Sequence, residues 1–345
     1  MTARDGAVKP IAALRSVCVE ASAGHDGLPA QILRDVSIDV HRGEIIGIIG
    51  ETGAGKSMTA WSFSNLLPGT RISSGVVVVE DRDLLTLTER DLRSIRGRVI
   101  ATIGQNPKGA LHPLIPVGKQ IANAYRAHHK VSRSQARTAA VDMLRHVQIA
   151  DPERRFHAYP HELSGGMAQR CLIALAMVNE PAMLIADEPT TGLDSQTQLE
   201  ILDLIERLVT TESSSVVIVS HDLALISRIA HRVVVMFAGE VIESGPTQSI
   251  LRNPLHPYTR ALVGSISGDP ADRAMDRGGP PPPLTNRPPG CQFAYRCTAA
   301  KARCTSAPTP PLRQLNNIDD TSRRELRCPV VADQLKSTLP REARQ

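Results

Sequence analysis

Residues 50–57 read GETGAGKS, and this octapeptide constrains the fold more than any other stretch of the chain. It fits G-x-x-x-x-G-K-[ST], with Gly50, Gly55, Lys56 and Ser57 in the required places. Before it runs EIIGIIG (44–50), a short apolar, β-branched segment suited to a buried parallel strand. After it, KSMTAWSFSNLL (56–67) carries apolar residues at helical spacing and ends near Pro68 and Gly69. Strand, glycine turn and helix in that order aim backbone N–H groups and a positive helix end at one spot, which suits a polyphosphate. Lys56 is placed to neutralise the β- and γ-phosphates of a nucleotide, and the Ser57 hydroxyl to ligate magnesium. Glu51, Thr52, Gly53, Ala54 and Met58 complete the expected nucleotide-binding segment. A glycine turn with a chance lysine is the bland alternative, and it is poor with both flanks present.

The remainder of the chain alternates strand and helix signals, which argues for an α/β fold with a parallel sheet. Residues 12–50 look β-rich, with SVCVE, DVSIDV and IIGIIG separated by a polar loop around GHDG (24–27). The apolar runs GVVVV and VIATIG flank a charged helical stretch within residues 75–103. From about 119 to 162 the pattern turns helical and polar, as in KQIANAYRAHHK and SQARTAAVDMLRHV. AMLIADE (182–188) and SSVVIVSH (214–221) then return as buried-strand signals. These signals predict a main domain over 1–252, with a helical subdomain inserted at about 106–180, and an extension over 253–345. Within the extension, GDPADRAMDRGGPPPPLTNRPPG (268–290) reads as a Pro/Gly-rich linker before a small cysteine module and a charged tail.

Composition narrows the partners. The net charge of +5 is mild and dispersed, and short groups such as Arg90–Arg98 read as a solvated face, so no nucleic-acid partner is expected. No apolar run approaches a membrane span, and MTARDGAVKP has no signal-peptide core. A cytosolic chain is expected; if it works at a membrane, other subunits supply the spans.

Six cysteines are unevenly placed. Cys18 and Cys171 read as small core residues. Cys291, Cys297, Cys304 and Cys328 follow the spacing C-x5-C-x6-C-x23-C near the end of the chain. Four thiolates can ligate zinc or an iron–sulfur cluster, and this spacing matches neither the usual zinc pairs nor ferredoxin runs. Disulfides are disfavoured in a reducing cytosol.

Four segments together carry a family resemblance: GETGAGKSMT, YPHELSGGMAQR (159–170), LIADEPTTGLD (184–194) and NPLHPYTRALVGSI (253–266). In this order the chain resembles the ATP-binding subunits of ATP-binding cassette (ABC) transporters over nearly its whole length, and among them those of dipeptide and oligopeptide importers. The implied fold is a P-loop NTPase ABC nucleotide-binding domain with a helical subdomain and a small cysteine-containing C-terminal extension. The apolar strand ending at Asp187 places that carboxylate to hold magnesium beside the phosphate loop. By the resemblance, Glu188 orients or activates the attacking water, Gln105 senses magnesium and the γ-phosphate, and His221 contacts the γ-phosphate. Ser164, Gly165 and Gly166 resemble the signature that completes the ATP site of a facing subunit, with Asp194 at the dimer interface. The segment GCQFAYRC…C…CPV resembles the extension associated with a 4Fe–4S cluster on its four cysteines, with zinc as the alternative.

The resemblance implies an ATPase, using ATP and Mg2+, that energises peptide import. Its implied partners are a second, related ATPase subunit, two transmembrane permease subunits and an extracytoplasmic peptide-binding protein, with this chain peripheral on the cytoplasmic face of the membrane. A cargo of nickel or another small solute is the nearest alternative. A soluble ABC ATPase acting on DNA or ribosomes is another, but the coiled-coil insertion, second cassette or zinc insertions expected of one are missing. Three departures stand out. Residues 1–60 contain no Phe, Trp or Tyr to stack on adenine, leaving Ile32, His25 or another chain. The Gln105 segment reads GQNPKGALHP where relatives commonly read like FQDPMTSLNP, and Gly192 stands where Ala or Ser is usual.

Overall fold

The structure is a computed structural model that describes residues 9–21, 30–282, 284–285, 287–306, 308–315 and 324–338. His25, one of the candidates for adenine contact, lies outside the described residues.

The chain opens with strands β1 (Ala12–Ala21) and β2 (Ala30–Val40), which pair antiparallel. Strand β3 (Ile45–Ile49) leads into the phosphate loop and helix α1 (Lys56–Ser62). Strands β4 (Thr70–Val79) and β5 (Arg82–Asp83) return to the first sheet, giving the antiparallel order β2-β1-β4-β5. Helix α2 (Glu89–Ile95) starts at Thr88, whose hydroxyl accepts from the Asp91 N–H at 3.3 Å, and strand β6 (Ile100–Ile103) follows.

Next comes the helical insertion: α3 (Pro107–Ala110), α4 (Val117–His128), α5 (Arg133–His146), α6 (Pro152–Arg155) and α7 (Gly165–Met177). Helix α5 opens with a reciprocal capping box in which Gln135 N donates to Ser132 Oγ and Ser132 N to Gln135 Oε1. The chain then re-enters the sheet through β7 (Met183–Asp187), α8 (Ser195–Glu212), β8 (Ser215–Ser220), α9 (Leu223–Ile226), β9 (Arg232–Phe237), β10 (Glu240–Pro246) and α10 (Thr247–Arg252).

Strands β9, β3, β8, β7 and β6 lie side by side and parallel. Their unbroken apolar runs follow from burial on both faces. In β3, Ile46 and Ile48 join a core shared with Leu14, Val17, Val36 and Val77 of the antiparallel sheet. Ile45 and Ile49 face the core built with α7, α8 and the helical insertion. The period of two along a strand sends alternate residues into different cores.

The extension departs from a tethered module. Helix α11 (Pro257–Ser267) and α12 (Pro270–Arg273) lead into the proline-rich stretch, followed by α13 (Ala302–Thr305), β11 (Arg313–Leu315), β12 (Arg324–Leu326) and α14 (Pro329–Thr338). Strand β12 pairs antiparallel with β10, so the stretch between Cys304 and Cys328, inside the expected cysteine module, adds two strands to the main sheet, in the order β11-β12-β10-β9. The pairing is pinned by Arg324 Nη2 donating to Glu243 Oε1 at 2.5 Å, both side chains being almost wholly buried. Removing either partner leaves an uncompensated buried charge, a loss on the order of 3–5 kcal/mol. The expected linker is also tied down: Arg287 donates to the carbonyls of Ala238, Gln31 and Ile32. Its prolines supply no N–H, and side chains make the attachments instead. Cys171 is fully buried as expected, whereas Cys18 is half-buried and its sulfur accepts from the Asp35 N–H at 3.4 Å. Cys18 falls on the outward phase of β1, between buried Val17 and Val19.

Candidate functional site

Four adjacent parallel strands end at one edge of the sheet, and the expected site residues follow their carboxyl ends. The register aligns Ile49 with Ser220, Val219 with Asp187, and Ala186 with Ile103. The phosphate loop, His221, Asp187–Glu188 and Gln105 therefore all emerge on the same side. Gln105 lies two residues beyond β6 and is exposed.

Gly50 turns the chain out of β3 at φ 150°, where a Cβ would lie 2.3 Å from the Met236 carbonyl oxygen. Thr52 and Gly53 form the exposed tip, Ala54 is buried beneath it, and Met58 packs into the core shared by the two sheets. Gly55 caps α1 with no side-chain acceptor, which leaves first-turn N–H groups free for an anion. Lys56 is buried, and its Nζ donates to the carbonyls of Gly50 (2.9 Å) and Glu51 (3.0 Å). Burial lowers its pKa, an effect opposed by the nearby Glu188, Asp187 and Glu51 carboxylates. A cation held by two carbonyls, with three carboxylates acting on it, is poised to exchange those carbonyls for phosphate oxygens.

Ser57 Oγ donates to Asp187 Oδ1 at 2.9 Å. Asp187 is almost wholly buried, and its Oδ2 has no hydrogen-bond partner among the described residues. Burial raises its pKa against the opposing Ser57 hydrogen bond. An orphaned buried carboxylate oxygen beside a serine hydroxyl is a donor set that fits a hard divalent cation. Glu188 follows at φ 48°, with Oε2 accepting from Thr191 Oγ1 at 2.8 Å and Oε1 lying 3.4 Å from His221 Nδ1.

The second glycine segment is elsewhere. Ser164 caps α7, accepting from the Met167 N–H at 3.3 Å, and Ser164 and Gly165 are exposed. Gly166 abuts Thr197, which in turn donates its Oγ1 to Asp194 Oδ2 at 2.7 Å. Ser164, Gly165, Gly166 and Asp194 thus belong to one surface patch. Among the described residues, no hydrogen bond or ion pair joins it to the phosphate loop. Ile32 sits beside the loop: its carbonyl oxygen lies 3.7 Å from where a Gly55 Cβ would be.

Cys291, Cys297, Cys304 and Cys328 line a single cavity of about 310 Å³ together with apolar side chains such as Leu255, Phe293 and Val330. Burial pushes the Cys291 thiol up to about 12 and raises Cys297 and Cys328 as well. Among the described residues, however, no three His, Cys, Asp or Glu side chains are grouped to hold a metal ion. Neither the expected 4Fe–4S cluster nor its zinc alternative thus finds a ready ligand group among the described residues; what the four thiols share is the cavity lining.

Two residues at the site escaped the sequence reading. The Glu51 N–H donates to Tyr258 Oη at 2.9 Å, and the Glu51 carboxylate is gripped by Arg296. Tyr258 lies inside NPLHPYTRALVGSI, so a signal for it existed; Arg296 had none beyond its place between two cysteines.

Comparison with known proteins bears directly on this arrangement. A family model described as ABC transporter matches residues 33–191, and one described as oligopeptide/dipeptide transporter, C-terminal region, matches residues 242–304. The chain is 41% identical over 282 residues to the dipeptide transport ATP-binding protein DppD of Bacillus subtilis (strain 168), covering 81% of this chain and 84% of that relative. It is 44% identical over 277 residues to a probable peptide ABC transporter ATP-binding protein of Sinorhizobium fredii, covering 79% and 83%. Among solved structures, the dimeric, post-hydrolysis ATP-binding cassette MJ0796 bound to ADP and Pi superposes with a TM-score of 0.62 at 26% identity, over 68% of this chain and 98% of that one. The protein cbiO1 of Clostridium perfringens, part of the ABC transporter complex cbiONQ, matches at a TM-score of 0.60 and 23% identity over 77% of this chain and 99% of that one, a likeness of fold alone.

Proposed function

The chain belongs to the peptide ABC transporter ATP-binding proteins, and from that premise we propose that it hydrolyses ATP to energise import of di- or oligopeptides through a membrane permease. The observation that carries the reading is the convergence of Lys56, the Ser57–Asp187 pair and Glu188 with His221 at one sheet edge, in a chain whose C-terminal region matches the oligopeptide/dipeptide transporter model.

Phosphate oxygens replace the loop carbonyls at Lys56 Nζ, while the loop and the first turn of α1 supply N–H donors. Ser57 and Asp187, with Gln105 nearby, would hold Mg2+, which supplies charge neutralisation between the β- and γ-phosphates. Glu188 takes the proton of, or orients, the attacking water. His221, 3.4 Å from Glu188 Oε1, would restrain Glu188 and meet the γ-phosphate. The exposed patch of Ser164, Gly165, Gly166 and Asp194 faces a second ATPase subunit and completes that subunit's site. Among the described residues the patch makes no hydrogen bond or ion pair with the chain's own phosphate loop, which leaves it available to a partner's nucleotide. Closure of the two subunits on ATP and their separation after hydrolysis form the two-state step that drives a permease.

No helix among the described residues is long and apolar enough to cross a membrane, so the spans come from permease partners and this chain docks on their cytoplasmic face. The four cysteines would carry a 4Fe–4S cluster, for which the one cavity that all four thiols line is the support. Its role is structural or redox-sensing, since ATP hydrolysis moves no electrons. Anaerobic purification with assay of iron and acid-labile sulfide tests this, and a colourless chain lacking both overturns it. The transport reading is tested by reconstituting the chain with its co-purifying permease and binding protein. Peptide-stimulated ATP hydrolysis is the expected result; stimulation by nickel alone, or by no solute, refutes the peptide reading.

A further inference from the structure

The phosphate loop is held from outside the nucleotide site by a residue of the cysteine module. Glu51, the second residue of the loop, is fixed at three points. Its N–H donates to Tyr258 Oη at 2.9 Å, its carbonyl accepts from Lys56 Nζ at 3.0 Å, and its carboxylate takes a two-pronged grip from Arg296. In that grip Nη1 donates to Oε2 at 2.8 Å and Nη2 to Oε1 at 2.7 Å, across 245 positions of sequence. Arg296 is itself immobilised. Its Nε donates to Asp276 Oδ1 at 2.9 Å, and Nη2 also reaches Asp276 Oδ2. Its guanidinium lies 5.4 Å from the Phe237 ring centre and 5.7 Å from that of Phe293, and its side chain is only 5% exposed.

A phosphate loop has no chemical use for a carboxylate at this position; the motif leaves it open. An unpaired anion there would repel an incoming triphosphate. Here the charge is cancelled by a planar, always-protonated fork that also sets the side chain's direction, and the backbone on both sides of Glu51 is held at the same time. The two aromatic rings and Asp276 keep the fork in place when the loop is empty, which is the condition for preorganised binding.

We propose that Arg296 is a positioning residue of the ATP site: it holds Glu51 neutralised and the phosphate loop in its receiving conformation, making the cysteine module a working part of nucleotide binding. The inference rests on the ATPase reading above. It assigns Arg296 no contact with the reacting atoms.

The test is MgATP affinity of the full chain, measured by calorimetry, together with KM and kcat. Arg296→Ala raises Kd and KM about tenfold with kcat little changed. Arg296→Lys, which keeps the charge without the fork, recovers part of the loss. Adding Glu51→Gln to Arg296→Ala recovers most of it, because the repelling charge is gone. A simple staple between extension and core predicts the opposite, since the second change removes nothing harmful. A Kd within about twofold of the parent in Arg296→Ala overturns the inference, and so does a raised Kd that neither second variant moves. If the alanine variant does not fold, Arg296→Gln retains the side-chain stem and decides the matter by the same Kd criterion. A parent chain that binds no MgATP would sink the ATPase reading itself, whereas a binding parent with unaffected variants sinks only this inference.

Discussion

His221 Nδ1 lies 3.4 Å from Glu188 Oε1, so the last residue of one strand signal and the last carboxylate of the preceding one meet at the mouth of the nucleotide site. The pairing is loose and His221 is largely exposed, while Glu188 is mostly enclosed and held on its other oxygen by Thr191. Such an unequal pair suits a carboxylate that acts and a histidine that restrains it.

Glu188→Gln keeps the shape and removes the base. It is expected to lower kcat by on the order of a hundredfold or more with MgATP binding retained, and to accumulate a closed dimer in ATP. His221→Ala is expected to lower kcat less, because Thr191 still orients Glu188. Steady-state hydrolysis and size-exclusion chromatography in MgATP check both; undiminished turnover in Glu188→Gln refutes the assigned role.

Asp187 carries the orphaned buried oxygen that fits a cation. Asp187→Asn removes the charge and keeps the acceptor for Ser57, so MgATP affinity falls by on the order of ten- to a hundredfold while affinity for ATP in EDTA hardly changes. Titrations with and without magnesium separate the two; an equal loss in both conditions contradicts the cation assignment.

Gly50→Ala drives a Cβ to 2.3 Å from the Met236 carbonyl oxygen at φ 150°. The loop must shift, at a cost of roughly 1–3 kcal/mol, and the receiving conformation is lost with it. A fall in melting temperature together with loss of MgATP binding is expected. Gly53→Ala, at φ 81° with nothing within 4 Å, pays only for backbone strain and keeps part of the binding.

His256 is fully buried, and burial pushes its pKa down to about 3. It sits beside the Glu243–Arg324 pair, its N–H donating to Glu243 Oε2 at 2.9 Å, and its Nδ1 accepts from the Tyr258 N–H at 3.1 Å. The unfolded histidine takes up a proton near pH 6.5 and the folded one does not until far lower, so its stabilising contribution is complete above pH 6.5 and declines as pH falls towards 3. Between pH 7.5 and 5.5 the parent loses about 1.4 kcal/mol through this group alone. His256→Asn retains a capping acceptor and cannot titrate, so its unfolding free energy falls less over the same interval. Parallel urea titrations check it, and identical slopes would falsify the assignment.

Much of this protein was legible locally. The strands β3, β7 and β8 were visible as apolar runs, because a strand buried on both faces has no polar phase. The phosphate loop and the carboxylates after AMLIA were visible because a parallel sheet delivers its chemistry at strand ends, a few residues from the run that marks the strand. Cys18 misled for the same local reason: apolar neighbours do not say which phase of β1 faces the core.

What the tertiary structure decided are the long-range meetings. Three-residue strands such as β11 and β12 carry too little periodicity to be read, yet β12 completes the main sheet against β10 through Arg324 and Glu243. The proline-rich stretch looks like a free tether until Arg287 is seen bound to three core carbonyls. Arg296 reaches Glu51 only because the cysteine module folds back against Phe237 at the end of β9 and against Tyr258. Spacing along a chain encodes the contacts one turn or one strand away; a pair separated by most of the chain is set by how the layers pack, and by the desolvated charge that packing must neutralise.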